Sequence, residues 1–476
     1  MAKIVVMGAG IGGITQVYEL RNELGKEHEL VLLGDSDHFE FTPSNPWVAV
    51  GWRKPGQITI DLPDVMKKYG IKFGGQGVKR LHPESSSLEM NDGSTVEYDY
   101  LVIATGPKLA FEEVPGLGPD GYTQSVCKTG HAAASCVNFE ALAADPGPVI
   151  VGAAPGASCF GPAYEYAFIL DADLRKRGIR DGVPMIFVTP EPYVGHLGLA
   201  GVGDSRECLE SDLRAHHISW ITNARAVRVE DGRMAVEQCD DTGRKVEEHE
   251  LEFKYSMMLP AFRGVGAVAE VEGLCNPRGF VFVDSYQRNP TYQNIYSAGV
   301  CIAIPPVEPT AVPTGAPKTG YMIESMVTAI VHNIRAAVDG MASGRVAGGG
   351  ALVRMEGETR PLLSAFVGLT PSDLGLPGEI DIAHARAIRD ALVGAARSVA
   401  LSVATDLTPE LVESLQTLNA AEIRLDAPIG DSEDSQLVER FITEEAAEPE
   451  VFFNDTATTE IFTDALSTLE ARDAKV

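Results

Sequence analysis

The sequence lacks the features of two large classes of protein. No apolar run reaches the ~18 residues that a membrane-spanning helix needs, so no transmembrane helix is predicted. Basic residues are scarce: 39 Lys and Arg stand against 67 Asp and Glu, for a net charge of −28. This balance argues against nucleic acid bound through a basic face. The chain starts MAKIVVMGAG, and because that apolar stretch is needed as a first strand, no signal peptide is predicted either.

The cysteines exclude two kinds of site. There are seven of them, an odd number, widely spaced and without a CxxC pair. Neither a disulfide framework nor a zinc site is therefore expected, and no metal site is predicted. What remains is a globular composition, 45% hydrophobic over 476 residues, which is enough for more than one domain.

A glycine-rich turn lies near the start of the chain. IVVMGAGIGGITQVYEL (residues 4–20) predicts a strand, a turn with Gly8, Gly10 and Gly13, and an amphipathic helix. Such glycines allow a tight turn, close approach to a pyrophosphate and close helix–strand packing, and the helix N-terminus attracts phosphates. A second strand follows about 20 residues later. Asp35 beyond it is our candidate for the ribose hydroxyls, with a capping role as the alternative.

Two later strands are predicted to end at glycine. The first runs over Val96–Lys108 and contains ATG, which places Thr105 and Gly106 at its end. The second runs over Val281–Cys301 and contains SAG, which places Gly299. At glycine the backbone can approach a flat ligand closely.

A second strand–turn–helix unit lies between these strands. VGAAPGASCFGPAYEY (Val151–Tyr166) has Ala154 and Ala157 where a nucleotide turn has glycines, and it carries Cys159. The order of the four segments is that of a two-dinucleotide flavoprotein. We therefore predict an α/β fold with two Rossmann-like dinucleotide-binding domains, the FAD domain being split around the second.

The predicted boundaries divide the chain into four parts. They are the first FAD-binding segment at 1–118, the degenerate NAD-type domain at 119–285, the second FAD-binding segment at 286–338 and an acidic, partly helical tail at 339–476. The tail has ten Lys and Arg against 25 Asp and Glu. Its string FFNDTATTEIFT resembles the conceptual translation of a sequencing adapter, which indicates that the final residues are not natural protein, with a genuine acidic C-terminal module as the alternative for the tail before residue 450.

These motifs resemble those of the sulfide:quinone oxidoreductases, a family of disulfide-reductase-type flavoproteins whose near neighbours are the flavocytochrome c sulfide dehydrogenases. The resemblance covers roughly residues 1–335 and rests on six blocks in the family's order. The blocks are FTPSNPWVAVGW, ATGPKLAFE, SVCKTGH, GASCFGPAYEYA, PEPYVGHLGLAGVGD and IAIPPVEPTAVPTGAPKTGYMIESM.

The resemblance implies a reaction, a cofactor and partners. Sulfide is expected to be oxidised to sulfane sulfur or polysulfide through a cysteine persulfide, and FAD to pass the electrons to ubiquinone or menaquinone. The family implies a peripheral position on the cell membrane, with the cytoplasm as the alternative. Membrane-surface helices need a basic polar face, whereas this tail is acidic, so the tail departs from the family.

The resemblance also implies roles for cysteines. Cys159 and Cys127 correspond to two of the family's three redox cysteines. We expect the start of the following helix to lower the pKa of the Cys159 thiol. The family's third cysteine lies in the C-terminal domain, yet no cysteine follows Cys301 here. We hypothesise that Cys301 partly substitutes for it, the alternative being a small buried side chain.

Four further side chains are candidates by resemblance and by chemistry. His196 and His131 titrate in the range that a general base needs, and Glu165 lies six residues after Cys159 for a proton relay. Lys318 is expected near the flavin, where a cation stabilises negative charge on the reduced ring. Each has a plain structural alternative: a loop histidine, a helix-surface glutamate or a solvated lysine.

Two other functions stay open. One is an NADH:quinone dehydrogenase of the same fold, against which Ala154 and Ala157 in the second turn argue. The other is a flavin-binding homologue that is catalytically impaired, because the third redox cysteine is missing.

Overall fold

The computed structural model describes residues 1–341, except the side chain of Tyr321. Within this range nineteen strands lie at β1 Lys3–Met7, β2 Glu29–Leu33, β3 His38–Glu40, β4 Thr59–Asp61, β5 Lys72–Gly74, β6 Val78–His82, β7 Ser87–Met90, β8 Thr95–Glu97, β9 Tyr100–Ile103, β10 Lys108–Leu109, β11 Val149–Ala153, β12 Met185–Val188, β13 Ile218–Ile221, β14 Ala224–Glu230, β15 Arg233–Cys239, β16 Lys245–Glu252, β17 Tyr255–Leu259, β18 Phe262–Arg263 and β19 Ile295–Ser297. The α-helices of the same range are α1 Ile11–Leu24, α2 Asn45–Ala49, α3 Leu62–Lys68, α4 Thr129–Ala144, α5 Gly161–Lys176, α6 Ser205–Ala215, α7 Gly266–Ala269 and α8 Gly320–Val338.

The first sheet joins segments from both ends of the described chain. Its order is β19-β9-β1-β2-β5, and all four pairings are parallel. Parallel strands covered on both faces are continuously apolar, and β1 and β2 are buried over four of their five residues. Helices α1 and α8 pack against each other beside this sheet.

A second parallel sheet lies between these segments in sequence. Its order is β13-β12-β11-β17, and its central strand β11 is buried throughout. Antiparallel sheets β14-β15-β16 and β6-β7-β8 extend the two units. The chain thus leaves the first sheet after β9, builds the second sheet and returns at β19. The predicted two-unit α/β fold is confirmed, while the four sequence boundaries stay predictions.

Two predicted strands are shorter than expected. Of Val96–Lys108, the central part forms β9, because β8 turns away to pair with β7 in an antiparallel hairpin. Of Val281–Cys301, only β19 is a strand, since Asp284 and Asn289 bend the preceding segment through side-chain bonds to backbone amides. The predicted helical segments of the tail lie outside the described residues.

Two expectations from the sequence concern membrane-spanning helices and the state of the cysteines. Within residues 1–341, no helix combines the length and the apolar character that crossing a bilayer requires. All seven cysteines are free thiols. Cys239 and Cys301 are buried and Cys208 is exposed, so only some of them behave as the small buried hydrophobic residues expected from the sequence.

Candidate active site

The turn after β1 is shaped by its glycines. Gly8 has φ +114°, and a Cβ there would lie 2.3 Å from the Ala104 carbonyl oxygen. A Cβ on Gly13 would lie 1.7 Å from the Gly8 carbonyl oxygen, so helix α1 can approach the turn only without a side chain. A Cβ on Gly10 would meet nothing within 4 Å, because this glycine faces open space. Gly10 precedes α1 as its N-cap and provides no side-chain cap, so the first amides of the helix are available to a ligand.

The other predicted cofactor residues lie at the same edge of the first sheet. Asp35 is exposed just beyond β2. Thr105 and Gly106 follow β9, and a Cβ on Gly106 would also meet open space. Gly299 follows β19 with φ +82°. Because these strands are parallel, their carboxyl ends meet at one edge, where dinucleotides bind in this architecture.

This edge fits FAD. Three conditions are met: a helix N-terminus open to a pyrophosphate, a carboxylate at the second strand, and glycines facing free space at two strand ends. The pyrophosphate would be held by the turn of Gly8, Gly10 and Gly13, and the ribose by Asp35.

The turn after β11 is filled by the protein itself. The Gly156 amide donates to the Pro313 carbonyl at 2.6 Å, and the Ala157 amide donates to the Ala154 carbonyl at 3.1 Å. The Ala157 carbonyl accepts from the Gly315 amide at 2.8 Å. Ala154 and Ala157 are buried. Backbone amides that would bind the pyrophosphate of NADH are therefore engaged with the chain's own backbone. This agrees with the expectation that the alanines of the turn argue against NADH binding.

Cys159 lies in this filled turn, and one expectation for it is wrong. Helix α5 begins at Gly161, so Cys159 precedes the helix by two residues. Burial raises the pKa of the Cys159 thiol to about 11, nearby Cys127 adds to the rise, and Lys318 opposes it. The pKa of this thiol is thus raised and not lowered, and desolvation, which disfavours the thiolate, is the largest cause.

Cys127 comes from a distant part of the chain and lies within electrostatic reach of Cys159. Its segment is held by the buried Asn45, whose side-chain amide donates to the Val126 carbonyl at 2.9 Å. Thr129 donates its hydroxyl to the Asn45 side-chain oxygen at 3.1 Å. Burial raises the pKa of the Cys127 thiol to about 11 as well. The two half-buried thiols interact electrostatically although 31 residues separate them in sequence.

Lys318 lies within electrostatic reach of two thiols, Cys159 and Cys301. It is 8% exposed, so it is not the solvated lysine of the alternative reading, and its ammonium lies 4.6 Å from the centre of the Phe280 ring. Burial lowers its pKa to about 8, while both thiols favour its charged form. Cys301 is buried, and its thiol donates to the Ala298 carbonyl at 3.2 Å and the Ile103 carbonyl at 3.3 Å.

His196 is buried, and both of its ring nitrogens are engaged. The Gly198 amide donates to Nδ1 at 3.1 Å, so Nε2 carries the proton and faces a carboxylate oxygen of Glu308 at 3.0 Å. Burial lowers the pKa of His196, and Glu308 opposes this effect. The loop of His196 contacts the cysteine turn indirectly, since a Cβ on Gly198 would lie 3.4 Å from the Phe160 ring and 2.3 Å from the Gly315 carbonyl oxygen.

His131 and Glu165 lie at the margin of this group. His131 Nδ1 is 3.3 Å from the Ser125 hydroxyl, which also accepts from the Cys127 amide at 3.1 Å. Burial and nearby Lys128 lower the pKa of His131. Glu165 lies on the exposed side of α5, and desolvation by its neighbours raises its pKa. It makes no hydrogen bond to another residue of the described range, so its assignment as a proton relay stays a prediction.

Three residues that hold these segments were missed by the sequence reasoning: Asn45, Glu308 and Glu191, a buried residue whose carboxylate accepts from the Leu197 amide beside His196. Asn45 and Glu191 lie inside the quoted blocks FTPSNPWVAVGW and PEPYVGHLGLAGVGD, so a buried amide and a buried carboxylate in apolar blocks were the available signal. Glu308 also lies inside a quoted block, IAIPPVEPTAVPTGAPKTGYMIESM, but nothing in that block indicates its partner, since its contact with His196 spans 112 residues.

Comparison with known proteins supports the family that the sequence motifs indicate. Residues 2–319 match the family model described as pyridine nucleotide-disulphide oxidoreductase. The sulfide-quinone reductase of Aquifex aeolicus is 42% identical over 337 residues, which are 70% of this chain and 76% of that protein. The mitochondrial sulfide:quinone oxidoreductase of Dictyostelium discoideum is 26% identical over 351 residues, 70% of either chain.

Solved structures agree. The crystal structure of the sulfide:quinone oxidoreductase from Aquifex aeolicus superposes with a TM-score of 0.68 at 41% identity, covering 71% of this chain and 78% of that one. The NDH2 of Plasmodium falciparum in complex with NADH, at a TM-score of 0.52 and 18% identity over 64% of this chain and 65% of that one, shares the fold alone. The predicted resemblance and the oxidoreductase class are confirmed: this chain belongs to the sulfide:quinone reductases, within the pyridine nucleotide-disulphide oxidoreductase family.

Proposed function

We propose that this chain oxidises sulfide to sulfane sulfur or polysulfide and passes the two electrons to a quinone. The observation that carries the proposal is that Cys127 and Lys318, from two distant segments, both act electrostatically on the thiol of Cys159, which lies in a turn whose amides bond to the chain's own backbone. When bound, FAD supplies the two-electron acceptor that connects sulfide to the quinone. The names of the relatives from Aquifex aeolicus and Dictyostelium discoideum agree with this reaction.

Cys159 is the residue that we assign to hold the sulfur. Taking up one sulfide sulfur as a persulfide releases two electrons and two protons, and these leave with the quinol. Transfer of the sulfane sulfur from Cys159 to the Cys127 thiol, which acts electrostatically on Cys159, returns the Cys159 thiol without net oxidation, and each further sulfide sulfur taken up again releases two electrons and two protons to the quinone. Both thiols are protonated at neutral pH because burial raises their pKa, so deprotonation needs help from the surroundings.

Lys318 gives that help as the cation near Cys159. Its ammonium favours the thiolate of Cys159 and would favour negative charge on a bound flavin. We assign His196 to orientation and electrostatics, because both of its ring nitrogens are already engaged. His131 and Glu165 are assigned to proton transfer toward solvent.

The test is a steady-state assay of the full-length, FAD-loaded chain with sulfide and decylubiquinone. Sulfide-dependent quinone reduction is expected, together with formation of cyanide-reactive sulfane sulfur. Quinone reduction by NADH but not by sulfide would overturn the proposal in favour of an NADH dehydrogenase. A yellow protein that reduces no quinone with either donor would favour the impaired homologue.

The impaired homologue is an alternative because this sequence lacks a counterpart of the family's third redox cysteine. Cys301 is our proposed partial substitute, since Lys318 lies within electrostatic reach of both Cys301 and Cys159. Cys301→Ser is expected to slow sulfide-dependent quinone reduction about threefold, with Cys239→Ser, another buried thiol, as the matched control. Unchanged turnover in Cys301→Ser would show that this thiol takes no part.

We also propose that the chain works at the membrane surface, where its quinone is dissolved. Co-sedimentation of the full chain with quinone-containing vesicles tests this. Turnover with water-soluble quinone analogues but no binding to vesicles of neutral or anionic lipid would place the reaction in solution.

A further inference from the structure

One buried carboxylate outside the residues assigned above holds the loop of His196. Glu191 is fully buried and follows strand β12. Its Oε2 accepts from the Tyr164 hydroxyl at 2.7 Å and from the Thr189 hydroxyl at 2.7 Å. Its Oε1 accepts from the Leu197 amide at 2.6 Å. Three donors from α5, from the end of β12 and from the loop thus converge on one carboxylate, and such a fully bonded group orders what it touches.

These bonds fix both neighbours of His196. The Leu197 amide is held directly, and the Gly195 amide donates at 3.2 Å to the Tyr164 hydroxyl, which itself donates to Glu191. Leu197 has φ +58°, a left-handed conformation that a branched side chain adopts only where the surroundings impose it. The loop is therefore held in a conformation that it would not keep alone.

The same contacts decide how the imidazole ring is oriented. The Leu197–Gly198 peptide presents the Gly198 amide to Nδ1 of His196, and the proton on Nε2 then points at Glu308. Because Glu191 bonds the amide of Leu197, it sets the direction from which the next amide reaches the ring. Tyr164 lies on α5, the helix that follows Cys159, so the carboxylate also ties the His196 loop to the cysteine segment.

We propose that Glu191 is a positioning residue for the sulfide reaction: through Leu197 and Tyr164 it holds His196 in one tautomer and at a fixed place relative to the Cys159 turn. The inference rests on the proposed function, in which His196 orients or stabilises charge near the sulfur. Glu191 itself transfers no proton and touches no substrate.

A double-mutant cycle with His196 tests this assignment. Glu191→Ala is expected to lower kcat/KM for sulfide about 100-fold, because a shift of about 1 Å in a catalytic group has that effect. Glu191→Gln keeps an acceptor for Leu197 and is expected to stay within about fivefold of wild type. In a His196→Ala background, Glu191→Ala should cost less than about threefold further, since the residue that it positions is gone. FAD content and KM for decylubiquinone should not change.

The matched control is Ser135→Ala, which removes a fully buried hydrogen-bonding side chain from the same parallel-sheet unit. It should lower the melting temperature without changing kcat/KM for sulfide. The inference is overturned if Glu191→Ala costs the same with and without His196, or if its loss of activity only follows a loss of FAD. If Glu191→Ala fails to fold, Thr189→Val and Tyr164→Phe each remove one donor and complete the same cycle.

A second measurement works without turnover. Hydrogen exchange of the peptide spanning residues 193–201 should accelerate at least tenfold in Glu191→Ala and stay slow in Glu191→Gln and Ser135→Ala. Unchanged exchange in Glu191→Ala would overturn the inference. A wild-type chain that is inactive with sulfide but shows the expected exchange pattern would remove the proposed reaction and leave the structural coupling, so the two failures are distinguishable.

Discussion

The turn after β1 and the turn after β11 follow the same plan, a buried strand, a glycine-containing turn and a helix. In the first, Gly10 faces open space and the helix amides are available to a ligand. In the second, the segment around Pro313 donates and accepts the turn's hydrogen bonds, and the helix starts eight residues after the strand. We infer that one scaffold serves a nucleotide where its turn is left open and presents a thiol where its turn is filled.

The largest expected effect comes from the thiol of the filled turn. Cys159→Ser is expected to lower sulfide-dependent quinone reduction at least about 1000-fold, because a hydroxyl cannot form the persulfide. FAD content should match wild type, since the first turn is untouched. Cys208→Ser, at an exposed thiol, is the control. Activity of Cys159→Ser within threefold of wild type would refute the role of the second turn.

The open turn is tested by filling it. Gly10→Ala adds a methyl group to the space that we assign to the pyrophosphate, so it is expected to weaken FAD binding about 100-fold, which corresponds to about 2.7 kcal/mol. Folding should persist because a Cβ there meets no protein atom within 4 Å. Gly56→Ala, another glycine whose Cβ would meet nothing, controls for the mutation itself. FAD titration of the apoprotein measures the difference, and equal affinities would contradict this assignment.

The pH dependence of activity tests the role of Lys318. With its pKa lowered to about 8, its ammonium is present below that pH and lost above it, so activity that depends on the cation should fall as pH rises through about 8. Lys318→Met is expected to be about 30-fold slower at pH 7 and to lack this limb. Lys318→Arg, which stays charged, should recover activity and move the limb upward. Measured pH–rate profiles that share one alkaline limb would show that Lys318 is not its source.

The smallest expected effect concerns the segment that fills the second turn. A Cβ on Gly315 would lie 2.6 Å from the Ser158 Cβ, so Gly315→Ala must shift the cysteine turn. We expect about a tenfold loss of kcat/KM for sulfide with unchanged FAD content, and still no binding of NADH. If Gly315→Ala gained NADH binding, the segment that fills the second turn would by itself determine whether this turn binds a nucleotide or presents a thiol.

The first turn was predictable because all of its determinants are local. Gly8, Gly10 and Gly13 lie within six residues, and their strand and helix flank them directly. The prediction that the second turn is degenerate rests on equally local determinants, since Ala154 and Ala157 stand in the turn itself.

What fills the second turn was not predictable, because it depends on contacts between distant segments. Pro313, whose carbonyl accepts from the Gly156 amide, lies 157 residues away from it in sequence. Neither segment contains a pattern that indicates the other as its partner. The pKa of the Cys159 thiol likewise depends on burial by distant segments, which raises it, so the expected lowering of this pKa was wrong. Glu191 was missed because its bonds to Tyr164 and Leu197 exist only once the loop is folded.

The most direct measurement of the central claim is anaerobic stopped-flow reduction of the FAD-loaded chain by sulfide and, separately, by NADH. With FAD assigned to the open turn and the sulfide sulfur to Cys159 in the filled turn, we predict rapid bleaching of the flavin by sulfide, none by NADH, and no sulfide bleaching in Cys159→Ser. Bleaching by NADH but not by sulfide would contradict it.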